Sequence, residues 1–201
     1  RDGVLVWVRP EAVLPSFGAV LRHMPVSTEK VLDEVDAYSS LLLKAAERTR
    51  LVLVPSWVMP TYHRGLGILD MKAGVGFSDL VMRMNVRLSD RLSEAAGVYI
   101  LNTARWVGTV GKQAFDPRLW YMGKIAFGNR VFYEAACDIR AALVGVEGNS
   151  RKLVIVDLDN TLWGGVVGED GLDGIRLGGH DGVGEAFVDF QTALKFLTNR
   201  G

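Results

Sequence analysis

The stretch KLVIVDLDNTLWGG, residues 152–165, is the part of the sequence that says most about the fold. Aliphatic residues fill positions 153–156, two acids follow at Asp157 and Asp159, and a polar, glycine-containing run comes next. A short aliphatic run that ends in turn-forming residues is typical of a strand buried on both faces of a parallel sheet. We therefore predict a strand over 152–159 that carries both acids at its carboxyl end.

Strand-like and helix-like segments alternate through the rest of the chain. A strand–helix alternation of this kind predicts a parallel sheet covered by helices. We predict an α/β fold, with a parallel three-layer (Rossmannoid) N-terminal domain over 1–148 and the start of a second α/β domain over 149–201. The other predicted strands cover 3–8, 50–57 and 98–102, and the predicted helices cover 27–49, 78–97, 123–145 and 182–201.

Helix-end signals refine these boundaries. Ser27 and Ser78 precede apolar helical patterns, where a serine commonly caps a helix N-terminus. Gly97 follows the second pattern, where a glycine commonly ends a helix. The polar, glycine-containing segment 145–152 is the best candidate for a linker between the two domains.

The composition excludes several classes of protein. Basic and acidic residues balance at 23 each, so we expect no nucleic-acid partner. No apolar run approaches the roughly 18 residues that a membrane span needs, so we expect no membrane partner. The single cysteine rules out a disulfide framework and favours a cytoplasmic location. The first residues, RDGVLVWVRP, resemble a chain entered within a strand, so we expect a fragment.

The two acids suit phosphoryl transfer. Ligands of parallel α/β sheets bind beyond the carboxyl ends of the strands, and residues 157 and 159 would point the same way from one strand. Paired carboxylates carry a repulsion that Mg²⁺ removes, and Mg²⁺ favours one or two carboxylates plus phosphate oxygens. One acid, Asp157, could attack phosphorus and the other, Asp159, could act as acid and base. The glycines that follow allow a tight loop or a small hairpin over the site.

Residues 154–178 and 161–171 carry a family resemblance. VIVDLDNTLWGGVVGEDGLDGIRLG (154–178) resembles the first motif and flap of the haloacid dehalogenase-like (HAD) superfamily, and TLWGGVVGEDG (161–171) resembles its FkbH-like branch, subfamily IIIC. The final stretch, 184–201, is similar to the helix that follows in that branch. The segments RPE (9–11) and FDPRLWYMGKIAF (115–127) are similar to the SGNH-hydrolase-like region that precedes the HAD domain in these proteins.

The resemblance implies an activity and its site residues. FkbH-like proteins take a glyceryl unit from 1,3-bisphosphoglycerate, release phosphate and load the unit onto an acyl carrier protein for polyketide extender units. In this chain Asp157 would be the nucleophile and Asp159 the acid/base, and both would hold Mg²⁺. We assign binding of the small phosphorylated substrate to the residues around them, which are Leu158, Thr161, Gly164 and Gly165.

Two alternatives stay open. A plain HAD phosphatase acting on a small phosphorylated metabolite would use the same residues. A non-catalytic module that docks a carrier protein would instead use the N-terminal domain, with Trp106, Trp120 and Tyr121 as possible anchors, although core packing is the more common role of such residues. The family's later motifs, a Ser or Thr, a Lys and an acidic pair, would follow residue 201, so we expect the chain alone to be inactive.

The thioester chemistry of the family needs a thiol. The cysteine of this chain, Cys137, lies in the alanine-rich helical segment EAACDIRAAL. Small apolar neighbours favour a packed, unreactive side chain. We therefore predict that Cys137 is buried and assign it no acyl-carrying role.

Overall fold

The computed structural model describes residues 3–61, 63–149, 151–178 and 181–199. The chain divides into two compact units, Arg1–Leu143 and Val144–Gly201. The first holds the sheet and most of the helices, and the second holds the acidic motif. The domain boundary at 148/149 stays a prediction.

A parallel sheet forms the centre of the first unit. Its strands are β1 (Gly3–Leu5), β2 (Leu51–Pro55) and β3 (Val98–Leu101), in the order β1-β2-β3. Val4 pairs with Val52, and Leu53 pairs with Tyr99. All five residues of β2 are buried, as expected for a central strand covered on both faces. The predicted α/β fold with a parallel sheet is confirmed.

Helices connect and cover these strands. The first unit contains α1 (Pro10–Val13), α2 (Pro15–Val20), α3 (Thr28–Ala46), α4 (Phe77–Leu92), α5 (Thr103–Val110) and α6 (Pro117–Gly123). The helix α7 (Asn129–Val146) follows them. In the second unit lie α8 (Val167–Gly174) and α9 (Gly182–Thr198). None of the helices in the described ranges combines the length and the apolar character that crossing a membrane requires.

The apolar core consists of two clusters. The first joins α2, α3 and α4 to β2 through residues such as Phe17, Val35, Met84 and Val52. The second gathers residues of α5, of α7 and of the segments on either side of α6, which include Trp106, Phe115, Phe127 and Val131. Because Val52 and Val54 contribute to the first cluster and Leu101 packs against the second, helices cover the sheet on both faces. The predicted three-layer arrangement is confirmed.

The helix ends follow the sequence signals only in part. Ser27 caps α3, because its Oγ accepts a hydrogen bond from the Lys30 N–H at 3.3 Å. Ser78 does not cap α4, which begins one residue earlier, and its hydroxyl donates to Asp70 instead. Gly97 lies beyond α4, which ends at Leu92, and its φ of 77° serves the turn into β3. The predicted helix over 123–145 begins later than expected, at Asn129, because α6 ends at Gly123 and the next residue, Lys124, has a left-handed φ of 53°.

The predicted strand over 152–159 is absent. Residues 151–157 have no regular secondary structure, and Leu153 and Ile155 are 74% and 87% exposed. A strand exists only when a neighbouring strand accepts and donates its backbone hydrogen bonds, and the described residues of the second unit contain no strand of that kind. The aliphatic residues 153–155 therefore favour burial but remain exposed in this unit.

Candidate functional site

The acidic motif folds into a tight turn. The Leu158 carbonyl accepts hydrogen bonds from the Thr161 and Leu162 N–H groups at 3.2 and 2.8 Å. Between them, Asn160 has a φ of 54°, in the left-handed region that asparagine tolerates better than most residues. Its side-chain Oδ1 accepts from the Gly165 N–H at 2.9 Å. The segment 158–165 is therefore closed at both ends by local hydrogen bonds.

A loop closed by an isolated antiparallel bridge follows the turn, and α8 lies within it. Gly164 and Arg176 exchange two backbone hydrogen bonds, of 3.0 and 2.7 Å. Gly164 is buried, and a Cβ added there would lie 2.9 Å from Cε2 of Phe187 in α9. Gly165 has a φ of 104°, a backbone conformation that L side chains rarely adopt. Both glycines are thus required by geometry, one by close packing and the other by its dihedral angle.

The helix α9 packs against this loop and is hydrogen-bonded to it. Gln191 of α9 donates its side-chain N–H to the Leu162 carbonyl at 2.5 Å. Asp181 caps the start of α9, because its Oδ1 accepts from the Val183 and Gly184 N–H groups at 2.9 and 2.7 Å. The loop therefore rests on a helix whose own N-terminus is fixed.

The two acids have different surroundings. Asp159 is partly buried, and its Oδ1 accepts two hydrogen bonds, from Trp163 Nε1 at 3.0 Å and from the Val167 N–H at 3.2 Å. Asp157 is exposed, and its Oδ1 accepts from the adjacent Leu158 N–H at 2.9 Å. The carboxylate of Asp159 is therefore oriented by two donors, whereas that of Asp157 is accessible to a ligand.

The sequence prediction missed Trp163 as a partner of the acids. It lies four residues after Asp159 in the quoted motif, but an indole N–H alone does not indicate a hydrogen bond with any particular carboxylate. The only sequence feature that pointed to this contact is that Asp159 and Trp163 are four residues apart in a turn-forming segment.

The donor set suits Mg²⁺ as a partial site. The described residues contain no group of three or more histidine, cysteine or acidic side chains that could hold a metal ion. Asp157 and Asp159 provide hard carboxylate oxygens from one turn, and Mg²⁺ often takes only one or two carboxylates and completes its shell with water and phosphate. The assignment of both acids to Mg²⁺ stays a prediction.

The proposed substrate-binding residues lie together in the same loop. Leu158 is 52% exposed, and Thr161 and Gly165 are partly buried. Gly164 is buried against Phe187, and its backbone N–H and carbonyl are both hydrogen-bonded to Arg176. The structure brings these positions next to the acids along the chain, and their contact with a substrate stays a prediction.

The candidate interface residues and the cysteine of the first unit differ in their exposure to solvent. Trp106 is 2% exposed, and its Nε1 donates to Asp138 Oδ2 at 2.6 Å, so it belongs to the core. Tyr121 is 75% exposed. The prediction that Cys137 is buried is wrong, because its side chain is exposed. Ala135 faces the core, and a residue two positions later lies about 200° around the helix.

Comparison with known proteins identifies the fold. Neither the protein-family models nor the curated proteins include a match to this chain. A solved structure does match: the crystal structure of the N-terminal part of the protein BF1531 from Bacteroides fragilis, described as containing a phosphatase domain and complexed with Mg. The two are 24% identical with a TM-score of 0.81, and the match covers 100% of this chain and 52% of that one. The chain thus shares its fold with about half of that crystallised chain.

Proposed function

We propose that this chain is part of a Mg²⁺-dependent phosphatase of the HAD type, with the loop 157–165 as its phosphoryl-handling site. The observation that carries this proposal is the asymmetric pair of acids in one turn. Asp157 is accessible, and Asp159 is held by the Trp163 and Val167 N–H groups. The likeness in fold to a phosphatase-domain structure complexed with Mg supports it.

The asymmetry matches two chemical roles. An Asp157 oxygen attacks phosphorus, a phosphorus–oxygen bond forms, and the bond from phosphorus to the leaving oxygen breaks. Asp159 gives its proton to the leaving oxygen, then takes a proton from the water that attacks the aspartyl-phosphate, and phosphate is released. The orienting donors on one oxygen of Asp159 leave its other oxygen for this proton transfer. Bound Mg²⁺ would neutralise the charge of the two carboxylates and the phosphoryl group.

For the substrate we propose 1,3-bisphosphoglycerate, with an acyl carrier protein as the acceptor of the glyceryl unit. The support is the resemblance of TLWGGVVGEDG (161–171) to the FkbH-like branch. The bridge between Gly164 and Arg176 closes a loop that agrees with a flap at this place in the sequence. A plain phosphatase acting on a small phosphorylated metabolite is the alternative within the same class.

Metal binding and turnover are tested separately. Isothermal titration calorimetry of the 201-residue chain with MgCl₂ is compared among wild type, Asp157→Asn and the control Asp189→Asn, an exposed acid on α9. Phosphate release from 1,3-bisphosphoglycerate is then measured with and without acyl carrier protein, and mass spectrometry follows the carrier. The same assays are repeated on the longest available form of the protein that includes this chain.

The proposal expects Mg²⁺ binding that Asp157→Asn weakens about tenfold and Asp189→Asn leaves unchanged. A glyceryl adduct on the carrier, lost with Asp157→Asn, supports transfer. Phosphate release without an adduct supports the plain phosphatase. If Asp157→Asn retains both Mg²⁺ binding and phosphate release, this loop is not the site.

A further inference from the structure

The first unit contains a large cavity that the proposed chemistry does not use. Its volume is about 680 Å³, within the range of small-molecule sites, which is roughly 300–1,000 Å³. Residues that directly follow β1, among them Trp7 and Val8, line it together with Ser56 and Trp57, which directly follow β2. The cavity therefore lies at the carboxyl edge of the parallel sheet, where open α/β sheets bind their ligands.

Aromatic side chains form rigid walls. The ring of Trp7 packs against those of Trp106, Phe127 and Phe132, with centroids 5.5, 5.6 and 5.1 Å away. Aromatic groups in such mutual contact keep one arrangement, so this side of the cavity is formed before a ligand arrives.

The part of the wall that Trp57 forms is held by residues outside the cavity lining. Asn85 of α4 accepts a hydrogen bond from the Trp57 N–H and donates one to the Trp57 carbonyl, both at 2.8 Å. Trp57 is 4% exposed and packs against Tyr38 with ring centroids 5.6 Å apart. The backbone that carries this wall is therefore tied to the helix layer, and a preformed wall lowers the entropic cost of binding.

Positive charge is concentrated at one side of the cavity. Arg9 and Lys124 both line it and both lie over the ring of Trp120, at 5.2 and 5.0 Å from its centroid. Glu11 pairs with Arg9 at 3.4 Å and offsets its charge. No carboxylate pairs with Lys124 among the residues that the structure describes. The cavity thus offers one uncompensated ammonium group beside an apolar interior.

A histidine adds a polar group to the lining. His63 lines the cavity, and its Nδ1 accepts a hydrogen bond from the Gly65 N–H at 3.2 Å, which leaves the hydrogen of the neutral ring on Nε2. Burial, with a smaller contribution from His23, lowers the pKa of His63 against the opposing effect of Asp70, and this favours the neutral ring. Its contribution is therefore that of a hydrogen-bonding group without charge.

We propose that this cavity is a second binding site, for a small molecule with a flat or extended apolar body that ends in a carboxylate. The apolar body would lie between the walls that carry Trp7 and Trp57, and the carboxylate would meet the ammonium group of Lys124. The few polar groups at one side and the aromatic interior together match that amphipathic chemistry. All of its lining residues belong to the first unit.

The test uses 2-naphthoate as the probe and 2-naphthamide as its neutral counterpart. Calorimetry measures both with the 201-residue chain. Lys124→Gln removes the ammonium group, and Lys112→Gln is the matched control because Lys112 does not line the cavity. Ala12→Trp, at an exposed lining position, introduces a bulky side chain at the cavity. A thermal melt of each variant shows whether it is folded.

The expected result is one saturable site for naphthoate that Lys124→Gln weakens about tenfold, the loss of one charge-assisted contact. Lys112→Gln should leave the affinity unchanged, and Ala12→Trp should abolish binding of both probes. Three results would each overturn the proposal: no saturable binding, equal naphthoate affinity in wild type and Lys124→Gln, or binding that a folded Ala12→Trp variant retains. Since Lys124 is exposed, its substitution tests the charge without endangering the fold.

Discussion

Tyr38 carries a buried hydroxyl group that has no hydrogen-bond partner among the described residues. The residue is 7% exposed in the first core cluster, and burial raises the pKa of its phenol to about 12. A buried polar atom without a partner costs folding free energy, whereas the ring around it contributes apolar packing. The hydroxyl of Tyr38 therefore lowers the free energy of unfolding, whereas its ring raises it.

Replacing Tyr38 by Phe should stabilise the first unit. Removing an unsatisfied hydroxyl while keeping the ring is expected to raise the free energy of unfolding by about 1 kcal/mol. Urea denaturation followed by circular dichroism measures the change. Tyr99→Phe, at a position that is 49% exposed, is the control and should change little. A clear loss of stability in Tyr38→Phe would mean that the hydroxyl has a partner in solution.

Some of the individual site residues could be predicted from the sequence and others could not. Asp157 and Asp159 could be selected because an acid pair after an aliphatic run suits one kind of chemistry. The exposure of Cys137 could not, because the alanines around it describe composition and leave open which side of α7 faces the core. The partnership of Trp163 with Asp159 depends on the turn geometry, which sequence spacing does not specify.

At the scale of elements, α3 and α4 are joined by a charged cluster. Arg87 and Arg91 each bind both oxygens of Asp36, with distances from 2.7 to 2.9 Å. The hydrogen bond from Arg87 is the largest cause that lowers the pKa of Asp36; partial burial opposes it, and Arg91 adds to the lowering. A bidentate arrangement of this kind is stronger than a single surface ion pair.

Asp36→Asn should therefore destabilise the chain by about 1 kcal/mol at neutral pH. Because the folded-state pKa lies below that of the unfolded chain, the contribution is fully present above about pH 4 and is lost as the pH falls through the lowered value. Urea denaturation of wild type and variant at several pH values measures this. Their difference should shrink below pH 4. Glu94→Gln, at an exposed position, should show no such trend, and a pH-independent difference would contradict the argument.

The loop that the Gly164–Arg176 bridge closes depends on its contact with α9. Gly164→Ala should destabilise it by about 1–3 kcal/mol, because the new methyl group overlaps Phe187 Cε2 and approaches Cβ of Arg176. Hydrogen exchange of the Arg176 N–H, which donates to the Gly164 carbonyl, measures the effect directly. Gly168→Ala is the control, since nothing lies within 4 Å of its added Cβ. Equal exchange rates in Gly164→Ala and wild type would show that the packing yields without cost.

Elements were predictable where local sequence alone determines them. Ser27 marks the start of α3 because its cap is a local hydrogen bond. The start of α4 differs from its serine signal because Ser78 donates to Asp70, a residue outside the helix. The predicted strand over 152–159 does not form for a related reason, since a strand depends on a neighbouring strand that local sequence does not supply.

At the scale of the whole molecule, two similar aliphatic runs have opposite surroundings. Residues 51–54 of β2 are buried, with Val52 at 0% exposure, whereas residues 153–155 are exposed, with Val154 at 57%. The two runs, LVLV (51–54) and LVIV (153–156), differ only by a leucine in place of an isoleucine, so composition does not separate them. What separates them is the presence of neighbouring strands and covering helices in the first unit.

The same substitution at the two sites measures that difference. Val52→Thr should cost about 1–3 kcal/mol, because it places a hydroxyl in a dry core, while Val154→Thr should change the free energy of unfolding by much less. Val and Thr have nearly the same shape, so the comparison isolates the polar atom. Urea denaturation of both variants provides the measurement. Equal losses at both sites would mean that residues 153–155 are buried in solution.

The positions of the tryptophans give the chain an optical property. Three of the five, Trp7, Trp57 and Trp120, line the cavity, and Trp106 packs against Trp7. Trp163 is in the second unit, where its indole N–H binds Asp159. We therefore expect the ultraviolet emission of the first four to change when a ligand enters the cavity, and that of Trp163 to change with the acidic loop. Trp163→Phe would remove the emission of the second unit. Intrinsic tryptophan fluorescence of unlabelled protein could then follow each unit separately.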